Sequence, residues 1–143
     1  MTPTKTRWIL ARWMAHQLTI TEQPGYLHFR VTGENTPPTV QAYLAEVHTH
    51  CVQRGCTAIL VEEDLTGPGL PLVEIYQIIE RGGMRNRMLL RWLAYVDVHQ
   101  HERPGNLRFA ETVAVNRGLN LRTFASVDEA AAWLGEMTAP TKP

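Results

Sequence analysis

The chain has no apolar run approaching the roughly 20 residues that cross a bilayer. The stretch Trp8-Ile9-Leu10-Ala11 is too short for the apolar region of a signal peptide, and Arg12 interrupts it. Net charge is also missing, because 14 basic residues balance 14 acidic ones. Such a chain has no global field to gather nucleic acid or an anionic membrane, and nucleic acid is not expected as a partner. Cysteine is scarce. Cys51 and Cys56 make no disulfide framework, and a reducing cytoplasm is the default compartment. Internal repeats, low-complexity segments and interdomain linkers are absent. So are a Walker loop and a Gly-x-Gly-x-x-Gly fingerprint. What remains is one domain of ordinary composition, and 143 residues can bury a core without staples.

Periodicity supplies the fold. Leu18-Thr19-Ile20 and Tyr26 to Val31 alternate at period two around Glu22-Gln23-Pro24-Gly25, which reads as a β-hairpin. Thr36-Pro37 reads as an N-cap with proline in the first turn. Val40, Tyr43, Leu44, Val47 and Cys51 follow on one helical face, and Gly55 ends that helix. Ala58 to Val61 is short and continuously apolar, as in a strand covered on both faces. Leu72, Ile75, Tyr76 and Ile79 form the next helical stripe, which Gly82-Gly83 is expected to stop. Leu93 to Val98 reads as a strand, Asn106 to Arg117 as a helix before Gly118, and Leu119 to Phe124 as a last strand. Ser126-Val127-Asp128-Glu129 is a capping box opening a final helix.

The order ββ-αβ-αβ-αβ-α predicts a single α/β domain. Its mixed sheet begins with the hairpin and continues as αβ units with parallel strands. We divide the chain into an N-terminal extension (1–14), the domain (15–137) and a C-terminal tail (138–143). Trp8 and Trp13 load residues 1–13 without a clear period. The segment is either an extension ahead of a natural start at Met14 or an aromatic arm for a neighbour.

Several pieces match a known pattern in order and spacing. They are Phe29-Arg30-Val31-Thr32-Gly33, Ile59-Leu60-Val61-Glu62, Gly67 to Ile75, Arg108-Phe109-Ala110-Glu111, Asn116-Arg117-Gly118, and Phe124 followed by Glu129-Ala130-Ala131-Ala132-Trp133-Leu134. Across about residues 17–135 the chain resembles the SpoIIAA-like group, relatives of the STAS anti-sigma-factor-antagonist fold. The resemblance implies a small mixed sheet backed by helices, and a protein-interaction or switching role rather than catalysis. Sporulation-type members carry a phosphorylatable hydroxyl after the central strand, often within Asp-Ser-Ser-Gly. This chain has Asp64-Leu65-Thr66-Gly67 instead, so its one hydroxyl, Thr66, stands outside that motif. Some SpoIIAA-like proteins also look similar to lipid carriers, which implies a small lipid or apolar anionic ligand as the alternative.

The candidate site follows from the strand–helix junction at residues 58–70, because open α/β sheets bind at their carboxyl edge. Glu62, Glu63 and Asp64 end the strand as a run of acids. Adjacent strand residues face opposite ways, so only Glu62 and Asp64 share a side. Converging carboxylates would suit acid/base or metal chemistry, and hydrated loop charges are the plain alternative. Thr66 is the phosphoacceptor by position, or otherwise a turn or N-cap hydroxyl. Gly67-Pro68-Gly69 offers backbone to an anion, or is a tight turn. Ile78 lies off its helical stripe and is expected on an exposed contact surface. His99 and His101 would share a face if extended, and with Glu62 or Asp64 form an accessory metal or acid/base site.

Other pairings are weaker. His48 and His50, about 200° apart on a helix, cannot chelate one ion together. Arg81, Arg85, Arg87 and Arg91 form a basic band for an anionic partner or headgroup. No nucleophile–base pair emerges, so neither catalysis nor a cofactor is expected. The expected role is a regulatory module that binds a protein partner through the 62–78 edge. The Trp-bearing segment and the hairpin edge leave room for a homodimer.

Overall fold

A computed structural model describes residues 16–86 and 89–140, with backbone only for residues 83–86. The expected N-terminal extension, the last three residues of the tail, and the side chains of Arg85 and Arg87 lie outside the described residues. The elements are β1 (His16–Gln23), β2 (Tyr26–Glu34), α1 (Pro37–Arg54), β3 (Ala58–Thr66), α2 (Leu72–Asn86), β4 (Trp92–Asp97), a 3-10 turn (Gln100–Glu102), α3 (Asn106–Asn116), β5 (Leu121–Thr123) and α4 (Val127–Met137).

Local chemistry explains most boundaries. Gln23 pairs with Tyr26 across a tight turn in which Gly25 takes φ +88°. The Thr36 hydroxyl accepts from the Thr39 amide at 3.3 Å, and Pro37 needs no hydrogen-bond acceptor in the first turn. The Ser126 hydroxyl likewise accepts from the Glu129 amide at 3.2 Å, as the capping box predicts.

The strands lie in the order β1-β2-β3-β4-β5, with β1 antiparallel to β2 and all later neighbours parallel. The parallel order never reverses, so crossovers of one hand leave their helices on one face. Accordingly, Tyr43 and Val47 of α1, Ile78 of α2 and Ala114 of α3 share a core with Phe29, Val31, Ile59, Val61 and Leu65 of the sheet. Among the described residues the opposite face carries α4 alone. Its Ala130 and Leu134 pack on Ala58, Leu60, Ala94 and Val96. β3 is thus covered on both faces at its start, as its apolar run predicts.

Three expectations change. β3 continues to Thr66, so the acids lie within the strand rather than in a loop after it. α2 passes through Gly82-Gly83 to Asn86. Glycine lowers helix propensity by only about 1 kcal/mol, which packing overrides here. Its buried face is also turned, because Ile78 is 6% exposed and packs in the core. Ile78 therefore belongs to no exposed contact surface. A helix with isoleucines at 75, 78 and 79 and apolar residues at 72, 73 and 76 supports two phases. The larger buried stripe is the isoleucine one.

Candidate functional site

Strand alternation splits the three acids between two environments. Glu62 and Asp64 point to the face that α4 leaves open at the carboxyl end of the sheet. Parallel pairing sets Arg30 beside Glu62 and His28 beside Leu60. His28 Nε2 lies 2.9 Å from Glu62 Oε1, Arg30 Nε 3.6 Å from Glu62 Oε2, and Arg30 Nη2 donates to Asp64 Oδ2 at 2.8 Å. His99 Nε2 reaches Asp64 Oδ1 at 2.7 Å, and its Nδ1 lies 3.4 Å from Glu102. The result is a row of alternating hydrogen-bond and ion-pair partners, half-buried at Glu62 and Asp64. Pairing with Arg30 and the histidines replaces the hydrated-loop expectation.

The expected His99 and His101 pair does not form. Gln100–Glu102 curls into a 3-10 turn, so the two rings do not share an extended face, and His101 is exposed. No group of three or more His, Cys, Asp or Glu side chains is placed to hold a metal among the described residues.

Glu63 points the other way, into the core beneath α1, and is 5% exposed. The Tyr43 and Tyr95 hydroxyls both donate to its Oε2 and lie 3.0 Å from each other. Three oxygens thus form a triangle with three edges. With Glu63 ionised, two hydroxyl hydrogens serve only two edges, whereas a proton on Glu63 completes the ring. Burial raises the Glu63 pKa, the two tyrosine hydroxyls oppose that shift, and Asp97 adds to it. Both tyrosines are held well above their usual value by burial first and then by the Glu63 charge, so they remain donors.

Asp97 sits opposite Glu63 on β4 and forms a buried ion pair with Arg103, whose Nη1 is shared between the two carboxylate oxygens at 3.3 and 3.2 Å. Arg103 Nη2 donates to the Leu65 carbonyl and, at 2.8 Å, to the Gly67 carbonyl. Arg103 Nε is the one buried side-chain nitrogen or oxygen without a hydrogen-bond partner among the described residues. Sequence pattern does not single out Arg103, and only the fold reveals its burial, because its partners lie on β3, β4 and the following turn.

Those bonds define the Gly67-Pro68-Gly69 turn. Asn35 Nδ2 donates to the Pro68 carbonyl at 2.8 Å, and Asn106 Nδ2 to the Leu70 carbonyl at 3.2 Å. Side-chain donors thus anchor a run of carbonyls, and α2 begins only at Leu72, which favours a tied turn over an anion cradle. A Cβ at Gly69 would lie 2.6 Å from Asn106 Nδ2, so the Asn106 amide would have to shift. Thr66 is exposed, and its hydroxyl donates to the Gly33 carbonyl at 3.2 Å. It ends β3 and caps no helix.

Beyond this turn, α2 leaves Leu72, Val73 and Tyr76 exposed at 48%, 62% and 36%. Arg117 stacks over the Tyr76 ring at 5.0 Å. Arg81 and Arg91 of the expected basic band are exposed, and Arg91 lies 5.8 Å from the Trp92 ring. His50 packs near Phe29, and Cys51 is buried in the core.

No family model and no curated protein matches the chain. Among solved structures it is similar to the crystal structure of an anti-sigma factor antagonist from Mycobacterium paratuberculosis. The TM-score is 0.54 at 13% sequence identity, over 83% of this chain and 93% of that one. The fold is therefore STAS-like. No helix among the described residues is long and apolar enough to cross a membrane.

Proposed function

We propose that the chain is a non-catalytic regulatory module that docks a protein partner on the outer side of α2 and the adjoining carboxyl end of β3. The observation that carries this reading is the group Leu72, Val73 and Tyr76. Their positions fall within an arc of about 100° on one helix. Single exposed apolar residues are ordinary, but three on consecutive turns of one helical side are the composition of an interface centre. The structural neighbour is named as an anti-sigma factor antagonist, and that name supports a protein-binding role by fold analogy. Thr66 and Asp64 lie at the same end of β3. A phosphate on Thr66 would add about two negative charges there, making the edge sensitive to modification.

The test uses a partner isolated from the source cells and measured against purified variants that retain the native melting profile. Val73→Asp and Tyr76→Ala are expected to weaken binding by about tenfold or more, as for residues central to an interface. Val52→Asp, at an exposed position on α1, should leave affinity unchanged. Equal affinities for all three variants would remove α2 from the interface. Unchanged affinity for Thr66→Glu would remove the phosphorylation switch and leave the docking surface standing.

A further inference from the structure

Between the sheet and the inner sides of α1, α2 and α3 lies a cavity of about 140 Å3. Most of its wall is aliphatic, including Val47, Ile59, Val61, Ile78, Ile79 and Leu93. One end is polar, where Glu63, Tyr95, Asp97 and Arg103 join the lining. Interiors are close-packed, and an unfilled space of this size forfeits dispersion contacts along its whole wall. An apolar cavity of about 150 Å3 stays dry and takes up benzene. This one differs in two ways, being partly open to solvent and having hydrogen-bonding groups at one end. Its volume suits a single ring and falls well below the roughly 300–1,000 Å3 of pockets for larger ligands.

We propose that this cavity is a binding site for a compact neutral molecule made of one apolar ring and one hydroxyl. The ring would contact the valine, isoleucine and leucine wall. The hydroxyl would meet the polar end, where two groups have capacity left. Glu63 Oε1 lies outside the pair of tyrosine bonds, which both go to Oε2, and offers an acceptor. Arg103 Nε is a buried donor with no partner, on a side chain 2% exposed. An unpaired buried donor is unfavourable, and an incoming oxygen relieves it. A hydroxyl can donate to one group and accept from the other, which a bare hydrocarbon cannot. An anionic ligand is disfavoured because its charge would be buried with no free cation among the described residues to meet it. Arg103 is committed to Asp97 through Nη1.

Phenol, benzene and benzoate are the probes, titrated calorimetrically into the full-length protein. Phenol should bind saturably and at least about fivefold more tightly than benzene, with benzoate weakest. Glu63→Gln should shrink the preference for phenol over benzene. Ala110→Leu, which adds side-chain bulk to the lining, should abolish binding of both. Should that variant fold poorly, nuclear Overhauser contacts between phenol and the isoleucine methyls of the wild-type chain locate the ring independently. Absence of phenol binding overturns the proposal. So does equal affinity for benzene, tighter binding of benzoate, or ring contacts away from Ile59, Ile78 and Ile79.

Discussion

At the scale of single residues, the molecule turns on what happens to three consecutive acids. Period-two alternation already tells that Glu62 and Asp64 share a side. The same alternation tells that Glu63 shares the inward side of Ile59, Val61 and Leu65. Its burial is harder to read because a carboxylate inside a core is excluded unless partners meet it. Those partners, Tyr43 and Tyr95, come from α1 and β4, and no local pattern announces them. The consequence is a pH effect with a defined sign. Glu63 has a raised pKa when folded, so between its ordinary and native values the folded chain holds a proton that the unfolded chain has lost. Stability therefore falls as pH rises through that window and levels off above it. Glu63→Gln should flatten this part of the profile in urea melts taken across the acid range, and parallel profiles would contradict the assignment. Tyr43→Phe removes a buried donor from the triangle and is expected to cost about 1–3 kcal/mol in the same melts. Asp97→Ala strands the Arg103 charge in the interior and should destabilise by about 3–5 kcal/mol.

At the scale of elements, caps and turns are the most legible features, because their chemistry is local. Thr36-Pro37, Gly55 and Ser126 each stand at a helix boundary in the structure. α2 is the least legible, since its apolar residues exceed one face and only the sheet beneath decides which stripe is buried. The isoleucine phase has a direct check in chemical denaturation. Ile78→Ala should cost about 2–5 kcal/mol as a buried aliphatic truncation. Val73→Ala should stay within about 0.5 kcal/mol, as at an exposed site. Reversed values would restore the phase suggested by Leu72 and Tyr76. The 3-10 turn at Gln100–Glu102 is a second element that pattern alone misses, because three residues carry no period. Its tie to the fold is the Gln100 side chain, which donates to the Asp97 carbonyl at 3.1 Å and the Phe124 carbonyl at 3.2 Å.

At the scale of the whole molecule, the unreversed strand order and right-handed crossovers place three helices on one face, and α4 packs on the other. The hairpin and the parallel αβ units are legible in element order, but this placement is not, because a sheet whose strand order reverses carries crossover helices on both faces. The functional consequence is a division of surfaces. The charged row from His28 to His99 occupies the open sheet face. The cavity lies under the three helices and is partly open to solvent, and α2 turns Ile78 and Ile79 toward it and Leu72, Val73 and Tyr76 outward. The claim that binds these together is that the outward side of α2 is where a protein partner docks. The most direct measurement is amide hydrogen exchange of the full chain with and without its isolated partner. New protection is expected to concentrate in residues 66–77, with α4 and the β1 edge unchanged. Protection confined to β1 or α4, with none on α2, would contradict it.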